Sequence, residues 1–486
     1  MIKLVKADKS VFDKSYIDAQ RVIGNVLFMY EGTRMMCDSA HIFKNDDFHA
    51  FGKIQIIKPG EFTLTGGYLE VNQKEKIASV YNDVRLNDNE MTLTSNFLQY
   101  NLNTDVASYS NGGKIVSTAN QNVLTSNSGS YHTKSETFYF KKNVVLKNPD
   151  YVVKSDTLKY NDITEVSYFF GPTTITGEDS FIYCENGWYD SKKDISQFNK
   201  NAIVRSEKTE LKGDSIYYNG AIGFGEVFKN VSIRDTTTNY FISGNYGQYQ
   251  KEEKISYVTD RALLTQIFEE GDSLYMHADT LRSIPDSTDK NILLAYHNVR
   301  IFKSDLQGRC DSLSYSVADS ILQFFTEPIL WNGENQITGD SIRIFLRNKN
   351  IDQLLVKGNA FIISQSDSTK FNQIKGRKLT AQFYDGDIRN IYVEGNGQLV
   401  YYPLDEKKDS TGVLKEKPRV IGLNKGECSN INIEVENKQI TKLRLEREAN
   451  SLFSPMKKAK DPFLKMEGFE WKAALRPKSK EDLLED

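Results

Sequence analysis

The chain has 486 residues, 39% of them hydrophobic, with a mean hydropathy of −0.51 and a formal net charge of −3. An apolar content this low does not suit one large closed core, and a charge this small gives no general attraction to nucleic acid or to an anionic membrane surface. No run of apolar residues approaches the roughly 18 of a membrane-spanning helix, and the opening MIKLVKADKSVFDK carries lysines without the apolar core of an export signal.

Two kinds of segment alternate from the start of the chain. Residues 22–28 (VIGNVLF) are apolar with a polar interruption, and residues 48–57 share that character. Between and after such segments comes an octet that reads apolar, any, small, Asp or Asn, any, mostly apolar, any, Tyr. It is clearest in residues 93–100 (LTSNFLQY), 124–131 (LTSNSGSY), 153–160 (VKSDTLKY) and 211–218 (LKGDSIYY). The same frame opens at Met35, Leu64, Ile182, Ile242, Met276, Gly308, Ile337, Ile374 and, degraded, Leu423. Its members recur about every 29 residues, which gives about 13 repeats with looser spacing toward the C-terminus. A fixed period of this size marks a stack of units that cannot bury their apolar faces alone.

Period-two alternation reads both segments as half-buried strands, and 26 Tyr and 27 Phe against only 10 Pro favour the same assignment. Within the octet the alternation changes phase: positions 1 and 3 share one parity, positions 6 and 8 the other. Both pairs face inward only if the strand bends or bulges at positions 4 and 5. Asp-Ser or Asp-Thr stands there at Asp38, Asp156, Asp214, Asp279, Asp311 and Asp340, where short polar side chains bond nearby backbone. Small residues at position 3 let the corner close. Cys37, Cys184 and Cys310 occupy that position in distant rungs, too far apart for a disulfide, so they are expected to be free thiols.

The expected fold class is therefore all-β: an elongated repeat β-jellyroll or solenoid-like trough of folded strands, spanning residues 12–402. Residues 403–419 read as a charged loop, 420–446 as terminal strands of the same trough, and 447–486 as a basic, largely flexible tail. Within that tail the cluster Phe469-Glu470-Trp471 could pack back as a cap.

No catalytic residue, no metal-ligand set and no cofactor emerges from the residues. Ten of the thirteen fourth positions carry Asp, Asn or Glu, but one such side chain per rung cannot supply the six or more oxygens that calcium takes. His41, His49, His132, His277 and His297 lack zinc-ligand spacing, and phosphate-loop, nucleophile-elbow and dinucleotide motifs are absent. The inward aliphatic ladder has two readings, a dry core or the lining of a trough that admits lipid chains. Its candidate lining residues are Val26, Phe28, Leu69, Leu98, Leu158, Ile216, Leu281, Leu313, Ile342 and Leu379. Each CH₂ buried there is worth about 0.8 kcal/mol, enough to hold an acyl chain without polar chemistry.

Ile23-Gly24-Asn25-Val26-Leu27-Phe28, then Gly32, then Met36-Cys37-Asp38-Ser39-Ala40-His41-Ile42-Phe43 resemble the repeat of the OstA-like family, and weaker copies stand at Lys142-Asn143-Val144, Lys229-Asn230-Val231 and Gly358-Asn359-Ala360. The resemblance implies a periplasmic β-jellyroll trough that is not an enzyme. It implies a bridge carrying lipopolysaccharide or a related acylated glycolipid toward the outer membrane, with other OstA-like or Lpt components as partners through edge-strand pairing. Two further readings are open: a parallel β-helix enzyme acting on polysaccharide, and a structural or adhesive repeat with a filled core.

Overall fold

The computed structural model describes residues 3–12, 14, 17–88, 90–118, 121–206, 209–235, 240–267, 272–287, 290–316, 318–347, 350–405, 419–436 and 439–485. Most of the loop expected at 403–419 lies outside the described residues. Strands make up 73% of the structure, and the only helices among the described residues are three-residue 3₁₀ turns. The packing divides into two units, Met1–Phe228 and Lys229–Asp486.

In unit 1 the chain runs back and forth through antiparallel neighbours. Lys3–Lys6 and Lys9–Phe12 pair with Ala19–Tyr30, which places paired strands ahead of residue 12. The ladder continues through Thr33–Phe43, Phe48–Lys58, Phe62–Asn72, Ile77–Asp88 and Met91–Asn101. From Thr137–Lys147 to Thr209–Asn219 it repeats without interruption. Hairpin ends use asparagine turns: Asn161 Oδ1 accepts from the Thr164 backbone N–H at 2.8 Å, and Asn72 Oδ1 from that of Glu75 at 2.9 Å. Antiparallel pairing of consecutive strands is incompatible with the parallel β-helix considered above.

The corner of each folded strand is built differently from the sequence expectation. The octet strand carries no inserted residue; its neighbours do. Ser155 faces Val144 and Thr157 faces Lys141, so Asp156 alone stands opposite Lys142 and Asn143. On its other side Asp156 stands opposite Gly171 and Pro172. The inserted pair lies in the left-handed region, with φ of 62° at Lys142 and 52° at Asn143. Equivalent consecutive pairs occur at Gly24-Asn25, Lys200-Asn201, His297-Asn298, Gly358-Asn359 and Gly395-Asn396. Asn and Gly tolerate that region best, which explains the recurrent Gly-Asn and Lys-Asn dipeptides. Gly171, at φ 79°, has a second reason to lack a side chain: a β-carbon there would sit 3.0 Å from Cβ of Asp156.

The fourth-position acids bond across strands rather than to nearby backbone. Asn359 Nδ2 donates to Asp340 at 3.0 Å, Asn298 Nδ2 to both oxygens of Asp279 at 3.1 Å, and Asn201 Nδ2 to Glu185 at 3.0 Å. The local backbone bond comes instead from position 3. Ser95, Ser126 and Ser155 donate to the carbonyl two residues on, at 2.9 to 3.0 Å, and the thiols of Cys310 and Cys428 do the same at 3.2 and 3.0 Å, the register placing the last octet at Gly426 rather than Leu423. Where position 3 is glycine, space is the cause: a β-carbon at Gly66 or Gly244 would lie 2.5 Å from a γ-carbon of Val80 or Val258.

Unit 2 uses the same rungs, through Ile255–Ile267, Ser273–Pro285, Asn291–Phe302, Asn350–Gln365, Phe371–Tyr384, Asp387–Tyr401 and Gly422–Glu436. It differs in what covers its outer face. Residues 447–485, expected to be largely flexible, first form Asn450–Pro455 against Gly422–Glu436 and then pack along the outside of the unit. Gln373 donates to the Leu464 carbonyl at 2.8 Å and accepts from the Met466 N–H at 2.7 Å. One rung earlier in sequence, Gln336 treats Glu470 and Lys472 in the same way, both at 2.7 Å. Gln307 then accepts from the Arg476 guanidinium at 2.8 Å, and Arg300 donates to the carbonyls of Asp482, Leu483 and Glu485. A primary amide offers the same donor and acceptor as a peptide group, so each glutamine bonds the segment as a neighbouring strand would. The Phe469-Glu470-Trp471 cluster lies against Phe371, with ring centroids 5.2 Å away for both aromatics.

Candidate functional site

Within each unit the inner surface of the folded strands is an apolar feature that the repeat creates, and every residue expected to line it is buried. Val26, Phe28, Leu69, Leu98, Leu158 and Ile216 in unit 1, and Leu281, Leu313, Ile342 and Leu379 in unit 2, are all 5% exposed or less. The positions alternate as the phase change requires: in Tyr151–Asn161 the inward residues are Val153, Ser155 and Leu158, while Asp156 is exposed at the corner.

A second ladder escaped the sequence reading. The residue two places before each inserted pair is buried in rung after rung: Val22, Ala50, Val80, Tyr109, Phe140, Phe169 and Phe198 in unit 1, then Val258, Ala295, Phe324, Val356 and Val393 in unit 2. Its signal was present as an apolar residue at fixed distance ahead of Gly-Asn or Lys-Asn. Val80, Val258, Val356 and Val393 there fit a glycine at the neighbouring third position, and phenylalanine stands at Phe140, Phe169, Phe198 and Phe324.

Unit 1 holds an apolar cavity of about 40 Å³ at this inner surface, lined by Leu86, Leu93, Leu98, Tyr109, Ile115, Tyr131, Phe138 and others. Several inward residues near it and along the same row are only half-buried, among them Leu86, Leu146, Ile175 and Val204. Most corresponding residues of unit 2 are closed off: Leu264, Ile301, Leu330, Ile362 and Leu399 are all 5% exposed or less, while Ile233 at the start of the unit is half-buried and Phe28 at the start of unit 1 is closed. The position-8 tyrosines stand at the end of the inner row. Tyr131 stacks on Phe138 at 4.3 Å, and the Tyr100 hydroxyl donates to Asp105 at 3.1 Å. Burial, reinforced by Asp162 and Glu165, pushes the Tyr160 hydroxyl up to about 12. Tyr249 departs from the row and is exposed.

Nothing charged interrupts the inner surface at these positions. The four cysteines are free and buried; burial pushes Cys37 and Cys184 up to about 11 and Cys310 up to about 12. Such thiols are neutral hydrogen-bond donors at the corners rather than nucleophiles. Among the described residues no group of three or more His, Cys, Asp or Glu side chains could hold a metal ion, and no helix is long and apolar enough to cross a membrane. The arrangement offers apolar area and shape.

Residues 1–156 match the sequence model of the family described as OstA-like protein. No curated protein matches the chain. Among solved structures, a similar one is LptH of Pseudomonas aeruginosa, described as the LptA homologous periplasmic component of the lipopolysaccharide transport device. It is 10% identical, its match covers 31% of this chain and 95% of LptH, and the TM-score is 0.23.

Proposed function

We propose that this chain, an OstA-like protein through residues 1–156, is a non-enzymatic carrier or bridge for a lipid. Its cargo is lipopolysaccharide or a related acylated glycolipid, moved across the periplasm toward the outer membrane. The observation that carries the reading is the inner surface of unit 1: an uninterrupted apolar row whose members Leu86, Leu146, Ile175 and Val204 stay half-exposed beside an apolar cavity. Half-exposed aliphatic side chains in a row leave hydrophobic stabilisation unrealised, and an acyl chain lying along them would supply it at about 25 cal/mol per Å². The cavity of about 40 Å³ is little more than the space of one water molecule. Loading therefore requires the rings of Tyr131 and Phe138 to part from the aliphatic wall. Partners would be other OstA-like or Lpt components that add strands to an exposed sheet edge, since an unpaired edge offers a row of backbone donors and acceptors.

The test is photo-crosslinking in cells. A photoreactive side chain at Leu98, Leu158 or Ile216 is expected to label an acylated glycolipid. The same probe at Lys159, which lies over the Tyr168 ring on the outer face, or at Lys212, which pairs with Glu210, is expected to label none. Absence of labelling at all three inner positions, with the protein folded, would leave the filled-core structural role.

A further inference from the structure

We propose that a hollow on the outer face of unit 2 binds a saccharide bearing an anionic substituent. The hollow has a volume of about 510 Å³ and is lined by Gln248, Gln250, Tyr257, Thr280, Arg282 and Tyr296, among others. Register places these side chains together. Gln248 faces Tyr257, Tyr257 faces Arg282, and Thr280 faces Tyr296 across successive strands. Their neighbours of opposite parity, Val258, Leu281 and Ala295, are buried on the inner side, so the set points away from the trough.

Arg282 is the pivotal residue. It stands at the seventh octet position, and other cations at that position are occupied. Lys159 lies 5.8 and 5.0 Å from the ring centroids of Tyr139 and Tyr168, and Arg343 donates to Gln323 Oε1 at 2.9 Å. Arg282 has no hydrogen bond, ion pair or ring contact among the described residues. The acid beside the hollow, Asp311, is already engaged by His297 at 3.1 Å. A half-buried guanidinium without a carboxylate offers a fork of donors matched to a carboxylate or phosphate. Phenol faces attract the polarised C–H bonds of a sugar ring through their negative π-faces. Two glutamine amides and a threonine hydroxyl both donate and accept, as sugar hydroxyls do. The volume falls within the range of small-molecule sites.

The experiment is isothermal titration calorimetry, with saturation-transfer NMR, on the full chain. The probes are a galacturonic acid trisaccharide and N-acetylglucosamine 6-phosphate, against maltotriose and N-acetylglucosamine. Expected is saturable binding of at least one anionic probe, about tenfold or more tighter than its neutral counterpart. Binding of the uronate alone assigns a polysaccharide source, and of the phosphosugar alone a phosphorylated one. Arg282→Gln should remove the preference for the anion, Arg282→Lys should retain part of it, and Tyr257→Ala should remove saturation transfer to ring protons. Lys159→Gln in unit 1 should change nothing. Equal titration by neutral and anionic probes, no saturable binding of either, or wild-type affinity in Arg282→Gln would overturn the proposal. If Arg282→Gln lowers the melting temperature, Gln248→Ala with Arg282→Lys serves in its place. The result is independent of whether the trough carries lipid.

Discussion

The two units build their rungs from one rule and treat their outer faces in opposite ways. In unit 1 the outward residues after the corner include Arg85, Lys147 and Arg205, left to solvent or to ion pairs such as Arg205 with Glu210, and the apolar ones among them, Val145 and Ile203, are only half-buried. In unit 2 the corresponding stretch carries Leu263, Trp331, Phe361, Ile363 and Val400, all buried beneath the C-terminal segment or close to it. A sheet that alternates in composition keeps one face wet; a sheet apolar on both sides needs a second layer. The C-terminal segment supplies that layer in unit 2.

That difference was partly legible. Ala262-Leu263-Leu264, Ile329-Leu330-Trp331, Phe361-Ile362-Ile363 and Leu399-Val400 abandon alternation, as burial on both faces requires, but Val144-Val145-Leu146 and Ala202-Ile203-Val204 in unit 1 do so too, and the signal alone is not decisive. What covers them was legible only at Phe469-Glu470-Trp471, the cluster expected to pack back as a cap; the rest was not, because residues 456–485 have neither strand nor helix periodicity. They are held by side-chain amides of Gln307, Gln336 and Gln373 that look, in sequence, like ordinary exposed polar positions. The rungs, the inward ladder and the small third position followed from spacing alone. The placement of the insertion did not. The phase change at Asp156 is visible within the octet, but the residues that produce it, Lys142-Asn143 and Gly171-Pro172, belong to neighbouring strands, and only register reveals that they face one another.

The largest expected effect follows from removing residues 456–486. Trp331, Tyr402, Phe361 and Ile363 would be uncovered, each worth about 1.5–3 kcal/mol when fully buried. Hydrogen exchange should show lost protection across 329–402 and unchanged protection from 19 to 219. Unchanged exchange in unit 2 would break the comparison. Next in size, Ile342→Ala should cost about 2–5 kcal/mol by opening a cavity in a closed interior. Leu98→Ala, which borders the existing cavity, should fall at the low end of that range. Chemical denaturation followed by tryptophan fluorescence and exchange would order the two, and the reverse order would refute the distinction between closed and half-open interiors.

A smaller effect is expected at the amide ladder. Gln373→Ala removes two hydrogen bonds to the covering segment and should cost about 1–3 kcal/mol, read as faster exchange at residues 464–472. Gln99→Ala in unit 1, whose amide bonds Ser79 at 3.3 Å, should be nearly silent. The corner acid Asp340, replaced by Ala, should cost about 1 kcal/mol through the lost Asn359 bond. The smallest effect at neutral pH concerns the thiols. Cys184 holds its proton up to about 11 in the folded chain, against 9.0 ordinarily. Its contribution is thus fully present below pH 9 and is lost as pH rises through about 11, because the unfolded chain ionises first. Native-state alkylation of Cys184 at pH 7.5 should be slow, and rapid labelling there would contradict its burial.

The inserted left-handed pair facing a single acid has one more consequence. Each rung carries its own crease, latched by contacts reaching no further than the adjoining strand. Rungs are therefore interchangeable parts on a common fold line. A whole one, cut at equivalent hairpins, could be spliced out or duplicated with its latches intact, whereas losing one residue of a pair would jam the crease and turn every inward side chain beyond it to the wrong side. Length in such a chain is free to drift by units of about 29 residues and is closed to drift by one.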